Sequence, residues 1–394
     1  NRSKKVHHYM VTLYVDFIEN EQEYRGSSKT MVSSTMTEEE LLNVLKDVAF
    51  AASFVKNKHY NLPKPGSAKI KENSSLFAKK PLSQWMPLIS KAVFAEDQEE
   101  LGWINSTEIF LNNIERRIRN SEGIDVSYSY YVGQIEFITE WNEGKESVEL
   151  FSILDFSEFK EDQIKSRVRE MLQESRERAL AADMPNLKTI PVILSGEAVK
   201  DLFKYYVNKT NVQMIYEKIS SIKLEDALQG TSVSGDLLSI DLVPALENST
   251  ESIPVDEDGV VLKKVSLIEN GIVKNLHGSE QFSSYLGGQT TGVINNYQVS
   301  CGDRSLESFK TAPYVELLSF SDFQMEDLSG NLGGEIRLAR YYDGQKCVSV
   351  TGGSISVNIS EIHHQVYFSK EAIQFNNYYG PKAVLLGNLD VASR

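Results

Sequence analysis

The chain has 394 residues, 41% of them hydrophobic and 24% charged, and its 41 Lys and Arg against 55 Asp and Glu leave a net charge of −14. This composition excludes the disordered, collagen-like and coiled-coil classes. No run of ~18 apolar residues offers a membrane-spanning helix, and the acidic balance disfavours direct binding to nucleic acid.

At this length two domains, or one large layered one, are expected. Asn1 to His8 carries Arg2, Lys4 and Lys5, but no apolar signal-type stretch follows, so no secretory signal is expected. Tyr9, Val11, Leu13, Val15 and Phe17 alternate with a second set and predict a strand. Thr37 and Glu40 have the spacing of a capping box. Leu41, Leu45, Val48, Ala52 and Val55 then line one face of a helix of ~20 residues. A polar loop with Pro63, Pro65 and Gly66 is expected over 59–80. A shorter helix follows from Leu82 to Ala95, with Pro87 near its first turns. Ser106 to Trp141 reads as a β-meander turning at Asn120-Ser121-Glu122-Gly123. Asp162 to Asp183 is the clearest helix, its apolar face carrying Ile164, Val168, Met171, Leu172, Ala179 and Leu180. Ile190 to Leu194 reads as a buried strand, and a helix follows from about Glu197 to Val207. Beyond that, turn signals recur at Asp258-Gly259, Asn270-Gly271 and Asp343-Gly344, and Val260 to Ile268 has the length of a strand. The fold class is therefore α+β. An N-terminal α+β domain over 1–187, with an antiparallel sheet and long helices, precedes a mostly β C-terminal domain over 188–394.

Candidate chemistry is sparse. The six histidines include two adjacent pairs, His7-His8 and His363-His364. Neighbours on a strand face opposite sides, so neither pair chelates one ion there. Asp256-Glu257-Asp258-Gly259 has a calcium-loop flavour, but its Gly falls at the wrong offset and Leu267 holds the twelfth position, so a hairpin turn is the reading. Gly287-Gly288-Gln289-Thr290-Thr291-Gly292 lacks the Lys of a P-loop and follows a helix-like stretch, Glu280 to Leu286. A helix ending in Gly is the plain reading, and a loop whose bare backbone approaches a peptide is the functional one. Cys301 and Cys347 fit a reducing cytoplasm and make no disulfide framework. Either could be a nucleophile beside His277, but nothing in the sequence brings them together.

The order of segments carries more than any single motif. Arg25-Gly26-Ser27-Ser28 lies ahead of the Glu-rich helix start, and Asn120 to Gly123 forms an N-x-x-G turn. Ala179-Leu180-Ala181-Ala182 leads through Pro185 into Pro191-Val192-Ile193-Leu194. Then come Asp256 to Gly259, Leu267 to Gly271, the Leu286 to Gly292 loop with Asn295, and Tyr342-Asp343-Gly344 running into Thr351 to Ser356. Taken in order and over nearly the whole length, the chain resembles the TldD/PmbA family, named for modulation of DNA gyrase and regarded as a peptidase family.

In the family's TldD kind, a helix after the P-V-x-L strand carries H-E-x-x-x-H and, with a late cysteine, holds zinc. Here no histidine occurs from Ser195 to Ile219 and no cysteine follows Cys347. One alignment puts Lys204, Tyr205 and Lys209 at the motif; a shifted one puts Gly196, Glu197 and Asp201 there. The resemblance is therefore to the PmbA or TldE kind. It implies no metal and no cofactor in this chain, and zinc in a TldD-like partner subunit of a cytoplasmic peptidase acting on peptides or unfolded proteins. Homodimeric assembly is the other partner expectation; no membrane or nucleic-acid partner is expected. The peptide-binding candidates are Asp258, Gly259, Gly287, Gly288, Thr290, Thr291, Gly292 and Asn295, with no catalytic residue assigned. The rival readings are a stand-alone peptide- or protein-binding homodimer without proteolysis, and a metal-independent peptidase.

Overall fold

The structure, a computed structural model, describes residues 2–66, 75–143, 147–311 and 313–393. In chain order the N-terminal part runs β1 (Tyr9–Glu19), β2 (Gln22–Val32), α1 (Glu38–Ala52), α2 (Leu82–Val93), β3 (Gly102–Arg119), β4 (Asp125–Trp141), β5 (Val148–Phe156) and α3 (Glu161–Ala179). The chain continues through β6 (Ala182–Asp183), β7 (Leu187–Ser195), α4 (Ala198–Lys209), α5 (Val212–Tyr216), β8 (Ile240–Leu242), β9 (Val265–Glu269), β10 (Ile272–Val273), α6 (Glu280–Tyr285) and β11 (Tyr297–Val299). It ends with α7 (Leu306–Phe309), β12 (Tyr314–Met325), β13 (Asn331–Tyr342), β14 (Cys347–Thr351), β15 (Ser354–Asn358), α8 (Ile359–Ile362), β16 (Tyr367–Phe368), β17 (Ala372–Phe375), β18 (Tyr378–Pro381) and β19 (Ala383–Val391). The class is α+β, as the sequence predicts. Among the described residues no helix is long and apolar enough to cross a membrane.

Two compact units emerge: residues 1–62 with 280–289, and residues 63–279 with 290–394. In the smaller unit β1 and β2 form an antiparallel hairpin. Thr37 closes the predicted capping box at α1: its hydroxyl accepts from Glu40 N at 3.2 Å, and the Glu40 carboxylate accepts from Thr37 N at 2.8 Å. Val48 and Ala52 are buried as expected, but the helix stops at Ala52 and Val55 is exposed beyond it. Gly26 makes this packing possible, since a Cβ there would lie 1.9 Å from the Ala52 carbonyl oxygen. Arg25 forks onto Asp16 at 2.6 Å twice and donates to the Tyr60 carbonyl. Tyr60 meets Tyr285 of α6 edge-on.

The larger unit contains two apolar cores. In the first, α2 and α3 cover one face of the β3-β4-β5 meander. Ile89, Ile135, Phe137, Phe156, Ile164, Val168 and Met171 interlock there, with Phe77 capping the end. The meander turns at the predicted place, where Asn120 Oδ1 accepts from the Glu122 and Ile124 amides and Gly123 supplies a positive φ. Of the predicted 59–80 loop, residues 67–74 lie outside the described residues, and Leu76–Lys79 form a single 3-10 turn. Helix α3 ends four residues earlier than predicted, because Ala182 and Asp183 extend to pair in parallel with Val350 and Thr351. Leu180, expected on its apolar face, is half exposed at that end.

In the second core, α4 packs between two sheets. One sheet has the order β10-β9-β8-β11-β18-β17; the other runs β16-β19-β7-β12-β13-β14-β6, with β15 also pairing β13. Strand β7 carries the predicted Ile190 to Leu194 segment and lies between β12, parallel, and β19, antiparallel. A strand buried on both faces reads as a continuous apolar run, and Val192, Ile193 and Leu194 are fully buried. Asn270-Gly271 and Asp343-Gly344 turn β9 into β10 and β13 into β14 as predicted, with Asn270, Gly271 and Gly344 at positive φ. The predicted strand from Val260 starts only at Val265; Val261 makes a single bridge to Val255 across the Asp258-Gly259 turn.

Candidate functional site

Within the larger unit, one face of the meander and the loops of the second core enclose a cavity of about 360 Å³. Arg116, Tyr130 and Val132 come from β3 and β4, and Glu251, Asp256, Glu257, Val293 and Asn295 come from the loops. The sheet supplies rigid walls, because its opposite face is packed on α2 and α3.

The loops are held by asparagines that replace missing ladder bonds. Asn248, at positive φ, accepts from the Ser157 and Glu158 amides at 2.8 and 2.7 Å, tying the loop after β8 to the end of β5. Buried Asn296 accepts from Ser249 Oγ at 2.6 Å and donates to the Glu251 carbonyl at 3.2 Å. Asn376, in the tight turn between β17 and β18, accepts from Thr250 N at 2.9 Å. A loop backbone removed from water needs such partners.

Asp256 is the centre of this arrangement and is almost wholly buried. Oδ1 accepts from the Asp258 and Val260 amides at 3.0 and 2.9 Å, and Oδ2 accepts from the Val293 amide at 3.0 Å. One carboxylate thus fixes the 256–260 turn and joins it to the strand-like 292–293 segment. Burial pushes its pKa up, against the amides that favour the charged form. Gly292 sits against it at φ +70, and a Cβ there would come within 3.0 Å of Oδ2 and 2.5 Å of Leu262. On the sheet side Tyr128 and Tyr130 stack at 5.9 Å and Tyr128 donates to the Val255 carbonyl. Burial raises both phenol pKa values, keeping the hydroxyls protonated. Arg116 lies 3.9 Å from Glu257, while Asn295 donates to Glu251 at 2.8 Å. The cavity therefore offers one guanidinium, carboxylates and amide groups around an apolar floor, a set suited to holding a polar main chain.

The sequence-predicted residues divide. Asp258, Gly259, Gly292 and Asn295 are brought together around Asp256. Thr290 and Thr291 instead bond the Gly278 carbonyl and amide. Gly287 and Gly288 belong to the smaller unit, where Gly287 at φ +71 ends α6 and their amides return to the Ser284 and Ser283 carbonyls; the plain helix-end reading holds for them. Arg116, Tyr130 and Glu251 were not singled out from sequence. The meander over Ser106 to Trp141 is legible in the sequence, but only the fold sets loops against the face that carries Arg116 and Tyr130.

Zinc, which the family implies, does not fit the residues of α4. The helix follows β7 as the resemblance requires, and Val199, Leu202, Phe203 and Tyr206 anchor it in the core. Under the first alignment its motif positions hold two ammonium groups and the Tyr205 phenol, whose pKa burial raises; none is an anionic donor. The shifted alignment leaves Glu197 and Asp201. Among the described residues no three His, Cys, Asp or Glu side chains converge, whereas zinc sites use three or four. His277 is committed elsewhere: its buried ring bonds the Val207 carbonyl at 2.9 Å, and burial lowers its pKa to about 4. Neither cysteine hydrogen-bonds it among the described residues, and burial, then Glu371, raises the Cys301 pKa, which suppresses its thiolate.

Comparison with known proteins supplies the family. Over its full fold the chain is similar to TldE from Thermococcus kodakarensis, with TM-score 0.75 and 16% identity, covering 97% of this chain and 90% of that one. Similarity of the same order (TM-score 0.73, 16% identity, 97% and 94% coverage) links it to a protein of Thermotoga maritima named as a DNA gyrase modulator. A like-named protein of Bacteroides thetaiotaomicron gives TM-score 0.73 at 12% identity, with 98% and 92% covered. In sequence it is 21% identical over 288 residues to an uncharacterized protein of Methanocaldococcus jannaschii, spanning 69% of this chain and 66% of that relative. The model of the PmbA/TldA metallopeptidase C-terminal domain matches residues 187–393, from the start of β7 to just past the end of β19. The chain therefore belongs to the PmbA/TldA metallopeptidase family.

Proposed function

We propose that this chain is a TldE-like subunit without its own metal, which holds flexible peptides or unfolded proteins in the cytoplasm while a TldD-like partner supplies the catalytic zinc. The observation that carries the reading is α4 and the turn before it, where under either alignment no histidine stands at the positions of the zinc motif. Similarity to a protein named TldE supports the same side of the family. Two unpaired cysteines agree with a reducing compartment. The 18-residue strand β3, at the edge of its sheet, supports sequence-tolerant capture, since an added strand is held by main-chain bonds. The cavity around Asp256, with the Asp258-Gly259 turn, Gly292 and Asn295, is the proposed place for peptide.

Coexpression with a zinc-bearing relative tests this, with metal content and peptide degradation measured on the copurified species and on each protein alone. The expected result is a complex that cleaves flexible peptides, with zinc confined to the partner. Stoichiometric zinc in the isolated chain, or recovery of two separate proteins with no gain in activity, would refute it.

A further inference from the structure

We infer that the outer face of the meander, beyond the cavity, docks a cationic amphipathic segment of polypeptide. This does not depend on the peptidase reading. Register fixes which side chains share the face: Glu136 stands between Glu108 and Ile153, and Ile138 lies opposite Phe151. One step nearer the cavity, Gln134 stands between Phe110 and Asp155. Residues alternate along each strand, so this is the face that carries Arg116, Tyr130 and Val132 into the cavity, opposite the core on α2 and α3.

The face is apolar, and among the described residues its large side chains stay exposed. Phe151 is 60% exposed, Phe110 42% and Ile153 40%. It is also acidic. Glu140 and Glu149, bridged by Asn105, follow at the far end. Among the described residues no lysine or arginine pairs with Glu108, Glu136, Asp155, Glu140 or Glu149, although Arg117 and Arg119 at the other end of the sheet are paired with Asp125. Like charges directly opposite on neighbouring strands destabilise a sheet, and Glu108 against Glu136 is such a pair. A lysine or arginine laid between them relieves the repulsion, and an apolar neighbour on the same segment covers Phe151 and Ile153. Charge argues against a second copy, since two such faces would set carboxylates against carboxylates. Area argues for a segment: three strands at ~4.8 Å spacing over about ten residues give roughly 450 Å², below the ~800 Å² per partner of a stable protein interface.

The test is fluorescence anisotropy of the full chain with a peptide of about twelve residues repeating Lys-Lys-Val-Val, so that Lys and Val share each face of an extended segment, beside the same peptide with Glu for Lys. The Lys peptide should bind and the Glu peptide should not. Glu108→Gln/Glu136→Gln and, separately, Phe151→Ser/Ile153→Ser should each weaken binding at least about tenfold, with circular dichroism unchanged. Glu38→Gln/Glu39→Gln on α1 removes the same charge elsewhere and should leave affinity within about twofold. Absence of binding, undiminished binding in the face variants, an equal loss in the α1 variant, or binding of the Glu peptide would overturn the proposal. If one face variant fails to fold, the other still decides.

Discussion

Asp256 does more for the candidate site than any other residue that lines it. Its two oxygens accept three amides from two segments, so Asp256→Asn turns one acceptor into a donor facing another donor. The expected cost is about 1–3 kcal/mol, read from urea unfolding; an unchanged midpoint would mean that the loops hold themselves. His277 has a pH signature. Its folded pKa, near 4, lies below the unfolded value near 6.5. As pH falls from 7 to 5 the unfolded state takes up a proton that the folded state refuses, so stability drops. The loss from this residue is about 2 kcal/mol over that window and ends only below the folded pKa. His277→Gln, which can still donate to Val207, should remove that slope from a series of urea titrations.

At the scale of elements, helix α1 shows local signals and close packing acting together. The capping box makes the helix start where it does. Its seat on the hairpin depends on the absence of a side chain at Gly26. Gly26→Ala drives a methyl into the Ala52 and Val55 carbonyls and should cost about 3 kcal/mol. Hydrogen exchange in α1 should then rise well before exchange in α4. Equal protection in both helices would mean that α1 is held by something other than this contact. The meander illustrates a different point. Its inner face is assigned by burial and its outer face by register alone, so a two-residue periodicity that looks uniform in sequence serves a core on one side and a cavity on the other.

For the whole molecule, the proposed division of labour predicts an asymmetry toward chelators. EDTA should leave the melting temperature of the isolated chain unchanged and abolish peptide degradation by the proposed complex. A chelator-induced drop in the isolated chain's melting temperature would place a structural metal inside it. Adding the zinc-bearing partner should raise the melting temperature in a concentration-dependent way, because anything that binds only the folded state stabilises it.

Much of this organisation was legible in the chain itself. The capping box of α1, the Asn120 turn and the Asn-Gly and Asp-Gly hairpins rest on interactions within a few residues, and local steric and hydrogen-bond rules suffice for those; the apolar run of β7 marks a buried strand, though not its partners. The lack of histidine from Ser195 to Ile219 is likewise a fact of sequence. Tertiary structure alone decided that α3 stops before Ala182, because the pairing of β6 lies with a strand more than 160 residues away. It alone brought Arg116 and Tyr130 to Glu251, Asp256 and Asn295, and left Gly287 and Gly288 at a helix end. Those outcomes depend on which faces meet, and long-range packing leaves no periodicity in the sequence that names its partner.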